Sequence, residues 1–241
     1  MSLYGFAVVV WRWLEYAGLI GFVGVVVVRR LGAMPPAQRW ARPSMQGWLA
    51  AAFVGGVGLL AAQTLHGMQP TIAGVVRVVA EGVALGLCLT IGRGAAPAGF
   101  LAALMLALGG HAALISPAAG AIFTDAIHVL SAGTWAGGIL VLSFLHPPEG
   151  WRGEAGRTML NRFGRVAFLA FAITALTGVL RATEVVSRPS DLWETQYGLV
   201  LSAKSTGVVV MVAMSALVWR RGFRYAQAEG VLVLLVLAAT A

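Results

Sequence analysis

Four histidines stand in this chain: His66, His111, His128 and His146. Two fall in the stretch from Gly110 to Gly138, which runs His111, a Ser116-Pro117 turn, Asp125-x-x-His128, Trp135 and Gly137-Gly138. Asp125 and His128 are three apart and share a face of a helix. Trp135 continues that face ten positions after Asp125. A carboxylate placed this way can orient an imidazole that ligates a metal. Imidazole takes copper in either oxidation state, and thioether takes Cu(I). His66, His111 and His128, with Met68 two residues after His66, therefore compose a copper-accepting set, and Asp125 stands behind His128. Two simpler roles compete. Asp125 can cap its helix, and His128 can hydrogen-bond locally at the headgroup level. Asp-x-x-His is a weak motif, and on spacing alone the simpler roles weigh more.

The elements that position these residues are membrane helices. The chain is 241 residues long, 59% hydrophobic and 11% charged, too little charge for the surface of a water-soluble domain of this size. The alternating pattern of a membrane β-barrel is absent. Eight apolar runs, each near the ~20 residues that cross a bilayer, predict an all-α polytopic bundle forming a single membrane domain over 1–241. They run from about Gly5 to Val28, Gln46 to Leu65, Thr71 to Ile91, Pro97 to Ile115, Ile122 to Leu145, Phe163 to Val186, Tyr197 to Trp219, and from Tyr225 to the last residue. The hairpin from Gly110 to Gly138 is expected at the centre, with the other helices packed around it.

The net charge of +8 does not point to nucleic acid, because the arginines sit in short loops between apolar runs. Arg29, Arg30, Arg39 and Arg42 follow the first span, Arg93 follows the third, Arg152, Arg157 and Arg162 follow the fifth, and Arg220, Arg221 and Arg224 follow the seventh. The alternate loops carry only Arg188. The positive-inside bias places both termini in the periplasm. His66, His111, Asp125 and His128 then converge on the outer leaflet, and His146 lies at the opposite side. The N-terminus lacks the pattern of a cleaved signal peptide, so the first span is expected to stay. Cys88 is the single cysteine, which excludes an intrachain disulfide and a CxxC motif.

Ionisable residues inside the spans normally face the bundle interior or a wet cavity. They are Arg12, Glu15, Arg77, Glu81, Lys204 and Glu229. Arg77 and Glu81 are i, i+4 and are expected to pair within their helix. Lys204 has no opposite charge nearby on its own helix, so it should meet Glu15, Glu81 or Asp125, or line a wet cavity. Met211 and Met214 read as packing. Gly137-Gly138 and Gly55-Gly56-x-Gly58 allow close helix approach. Catalytic motifs are missing, and the chain is read as a non-enzyme.

The combination of these motifs resembles the copper resistance protein D family. Gly110-His111-Ala112 and the stretch Asp125 to Gly138 match its Asp-x-x-His and Trp-x-Gly-Gly pattern. Asn161-Arg162-Phe163-Gly164-Arg165 is similar to its Arg-Phe-Ser segment, with Gly164 in place of serine. Leu176-Thr177-Gly178-Val179, the run from Thr195 to Lys204, and Ala228-Glu229 complete the likeness. The resemblance covers about His111 to the C-terminus; the first hundred residues fit in topology only. It implies a bacterial inner-membrane protein tied to copper uptake or resistance, served by a periplasmic copper carrier, in which His111 and His128 matter. Three readings follow: a copper permease accepting its ion at the outer leaflet, a b-type haem electron carrier with bis-histidine ligation, and a copper-delivery factor for a respiratory oxidase.

Overall fold

The computed structural model describes residues 3–92, 94–108, 118–183, 186, 188–221 and 226–238, with no strand among them. The helices are α1 (Leu3–Ala33), α2 (Gln46–Leu65), α3 (Ile72–Thr90), α4 (Ala95–Leu108), α5 (Ala118–Ala132), α6 (Gly138–Ser143), α7 (Glu154–Thr183), α8 (Asp191–Glu194), α9 (Gln196–Arg221) and α10 (Ala226–Ala238). A π-helical turn, Gly133–Gly137, joins α5 to α6 in one rod. Among the described residues five stretches are long and apolar enough to cross a bilayer: Tyr4–Ala33, Gln46–Leu65, Ile72–Thr90, Ala119–Ser143 and Glu154–Thr183. Their outer faces are apolar and uncovered. Val75, Val79 and Val83 on α3, and Phe168, Leu169, Leu176 and Val179 on α7, are all exposed. Contiguous apolar surface of this extent needs lipid rather than water. The chain is a helical membrane protein.

The bounds of α2 coincide with the expected span, and those of α3 fall within one residue at each end. By contrast α7 begins at Glu154 rather than at Phe163. Its first turns are polar and carry the loop arginines, so a hydropathy criterion does not see them as helix. The remaining three expected spans correspond to α4, α9 and α10; α4 and α10 have 14 and 13 described residues.

The centre of the bundle is α1, not the expected hairpin. It packs against α2, α4, α5, α6, α7 and α10. The reason is compositional: Leu19, Phe22, Val23, Val25 and Val28 are almost wholly buried, so α1 has little surface left to give to lipid. Small residues let its neighbours close in. A side chain at Gly55 of α2 would collide with the backbone of Glu15, and one at Gly137 would collide with the carbonyl of Ile20. Both glycine motifs picked out in the sequence thus sit at close helix crossings.

α1 and α2 are antiparallel, since Tyr4 stacks on His66 with ring centroids 3.9 Å apart. α7 also runs against α1. Arg162, near the start of α7, spreads its guanidinium over the chain that leaves α1. It donates to the carbonyls of Leu31, Met34, Pro35 and Pro36, each at 3.0 Å. Carbonyls at a helix C-terminus lack intrahelical donors, and a planar cation with five N–H groups fills that need. The neighbouring Phe163 is buried against Gly138. In this chain the Arg-Phe-Gly segment therefore fastens α7 to α1 and α6.

Candidate functional site

α5 and α7 meet along a polar ladder in an otherwise apolar bundle. The two helices run antiparallel, so residues stepping forward by three or four on α5 meet residues stepping back on α7. The first rung pairs Asp125 with Arg181, Oδ1 to Nε at 2.7 Å. The second joins His128 Nδ1 to Thr177 Oγ1 at 2.9 Å. The third joins Thr174 Oγ1 to Ser131 Oγ at 2.8 Å. The fourth is apolar: Trp135 meets Phe171 edge to face, centroids 4.8 Å apart. Polarity thus falls from a charged pair near the end of α7 to an aromatic plug further along the seam.

Hydrogen-bond accounting assigns the His128 tautomer. Thr177 has one hydroxyl proton, and it is directed at the carbonyl of Ile173 at 2.7 Å. With that proton on a backbone carbonyl, the hydroxyl oxygen accepts from His128 Nδ1, and a neutral ring then has its lone pair on Nε2. His66 is held in the same way. Its Nδ1 lies 3.0 Å from the carbonyl of Ala62, an oxygen that can only accept, so Nε2 again carries the lone pair. Tyr4 covers the His66 ring and donates its hydroxyl to Met68 Sδ at 2.9 Å. His66 and Met68 are both exposed.

The ladder corrects several expectations. Asp125 does not cap a helix, because α5 is already under way at Ala118. His128 lies ten residues beyond Ala118, about 15 Å along α5 at 1.5 Å per residue. Its ring is oriented by Thr177, while Asp125 serves Arg181. Sequence reasoning missed Thr174 and Arg181 and knew Thr177 only through the resemblance. The available signal was a run of hydroxyls and one arginine, spaced three and four apart, on an apolar helix.

Residues 157–241 match the family model described as Copper resistance protein D. Over these residues the chain is similar to that family. The copper transport protein CutJ of Bacillus subtilis (strain 168) is 31% identical over 134 residues, which are 53% of this chain and 24% of that protein. The chain therefore spans about a quarter of the length of the curated relative it matches. No solved structure matches. The copper resistance protein D match includes Arg162 and the α7 side of the ladder, Thr174, Thr177 and Arg181; Asp125 and His128 precede it.

The other candidates are placed as follows. His111 and the Ser116-Pro117 turn lie outside the described residues, as does the side chain of Glu229. His146 is exposed at the other end of the bundle. Trp135 is buried in the π-helical turn and works in packing, and Met211 is buried as expected. Among the described residues no three His, Cys, Asp or Glu side chains gather into a metal site. Lys204 is half-buried on α9 and does not meet the partners proposed for it. Glu15 is taken by Arg77 and Asp125 by Arg181, while Glu81 packs against Glu15 and Arg77. The main packing of α9 is on α8 and α10, and the Lys204 charge is felt by His128 of α5.

Proposed function

We propose that this chain handles copper as its cargo in the bacterial inner membrane, accepting the ion at the end of the bundle where α2 ends and α5 begins. His128 and His111 are the central ligands. His66 and Met68 form an outer acceptor pair, and Thr177 holds His128 in the ligating tautomer. The observation that carries this reading is that His66 and His128 each place Nδ1 within hydrogen-bond distance of an oxygen, the arrangement that leaves Nε2 as the ligating nitrogen. The family of residues 157–241 and the name of the Bacillus subtilis relative support copper as the ion.

Eight spans with both termini in the periplasm belong to this proposal. In support, the basic loops gather at one end: Arg162 grips the loop after α1, and Trp40 packs edge to face on Trp151 at 5.7 Å. An arginine-rich face of this kind fits the cytoplasmic side. The proposed activity is binding and passage of the ion without catalysis, and a periplasmic carrier supplies it.

The test is copper binding and accumulation in vesicles containing this protein alone, with His111→Ala and His128→Ala singly and together. Each single variant should lose binding while the bundle stays folded. If the double variant accumulates copper like the parent, the site is wrong. Binding without accumulation by the parent would leave a delivery factor. A Soret band in the parent that vanishes in the double variant would replace copper with haem b.

A further inference from the structure

A second polar cluster lies in α1, α2 and α3, in a part of the chain outside the family match. Glu15 and Glu81 are both 0% exposed, and Arg77 is nearly so. Arg77 commits itself to Glu15, Nε to Oε1 at 2.7 Å and Nη2 to Oε2 at 3.1 Å. Its approach to Glu81 is only 4.0 Å, too long for a hydrogen bond. Both carboxyl oxygens of Glu81 are buried without a hydrogen-bond partner. Gly56 explains how two carboxyl groups come together. A Cβ at that position would lie 2.5 Å from Glu81 Oε2 and 2.9 Å from Glu15 Oε1, so an oxygen of each group rests against the same glycine.

A bare carboxylate beside another in a dry core needs donors it does not have here. The remaining charged or titratable neighbours are Arg12 and Tyr16 on α1, and neither gives Glu81 a hydrogen bond. The helices that close the site add none, since α2 and α4 contain no ionisable residue. A hydrogen between the two carboxyl groups supplies the missing donor. Two carboxyl groups sharing one site hold a proton between them because both cannot ionise at once.

We propose that Glu81 and Glu15 form a proton-binding site within the membrane part, with Arg77 fixing Glu15 as the acceptor. The ligand is one exchangeable proton: Glu81 carries it as a carboxylic acid and donates it to Glu15. Release leaves Glu81 as a carboxylate and passes the proton to water. Nothing in this depends on copper.

The test is infrared spectroscopy of the purified full chain across pH, in H2O and D2O. The parent should show a carboxylic-acid carbonyl band that shifts in D2O, fades reversibly at alkaline pH, and moves when the protein is grown with 13C-labelled glutamate. Glu81→Gln keeps a donor toward Glu15; it should fold with an unchanged melting temperature and lose the band, whereas Asp125→Asn should retain it. A parent without the band, a band unmoved by the glutamate label, or a band that persists in Glu81→Gln overturns the proposal. The label works on the parent alone, so the outcome does not depend on any variant folding.

Discussion

The Glu15–Arg77–Glu81 cluster and the α5–α7 ladder put polar groups into the same membrane bundle by opposite means. The first is charged, fully enclosed and short of donors, with one cation between two carboxyl groups. The second is graded: its one ion pair stays partly exposed near the end of α7, its middle rungs are neutral, and its last rung is aromatic. Removing one member of an enclosed ion pair strands a charge, which is far more costly than the pair was worth. Removing one neutral rung costs a hydrogen bond. The comparison teaches that the enclosed cluster governs whether the bundle folds, while the ladder is free to serve a ligand.

The largest effect is expected from Arg77→Met, which strands the Glu15 carboxylate in the core. We expect a loss of about 3–5 kcal/mol, read as folded yield and melting temperature in detergent. Adding Glu15→Gln to that variant should recover much of it; no recovery would break the contrast. Next comes Arg162→Ala, which frees four carbonyls after α1. Hydrogen bonds to a charged group are worth about 1.5–3 kcal/mol, and partial exposure holds the net loss near that of one such bond. Arg162→Lys should rescue little, because an ammonium lacks the fork. The smallest stability change belongs to the ladder. Thr177→Val should cost about 1 kcal/mol yet weaken copper binding ~10–100-fold, the usual scale when a ligand's orienting partner is lost. Asp125→Asn breaks a pair whose side chains are 18% and 23% exposed, and should move stability by under about 1 kcal/mol and affinity less than Thr177→Val does. The reverse order of affinities would return the orienting role to Asp125.

Much of this bundle was legible from hydropathy, because a span is a local property of about twenty residues. The bounds of α2 and α3 and the close crossings at Gly55 and Gly137 came from such local signals. What depended on which helix neighbours which did not come through. Arg77 has Glu81 one turn away on its own helix, but α1 brings Glu15 closer. Lys204 was expected to meet Glu15, Glu81 or Asp125, and no such ion pair is among those of the described residues, although its charge is felt by His128 of α5. Arg162 read as a loop charge because its four acceptors lie more than 120 residues earlier. Asp125 and His128 were on one face as expected, but their partners on α7 follow from antiparallel register, which spacing within α5 does not reveal.

The π-helical turn at Gly133–Gly137 has a genetic consequence. Such a turn holds one residue more than an α-helical turn, so it absorbs a single-codon change without breaking the rod. Deleting Ala136 would restore continuous α-helix, and each residue of an α-helix turns the chain by about 100°. Four α-helical residues turn the chain about as far as the five of the π-helical turn, so His128 would keep its place on the α7 seam and Gly138 its place against Phe163. One codon can thus be lost there while the half of the rod that anchors to α1 and the half that presents its imidazole stay in register.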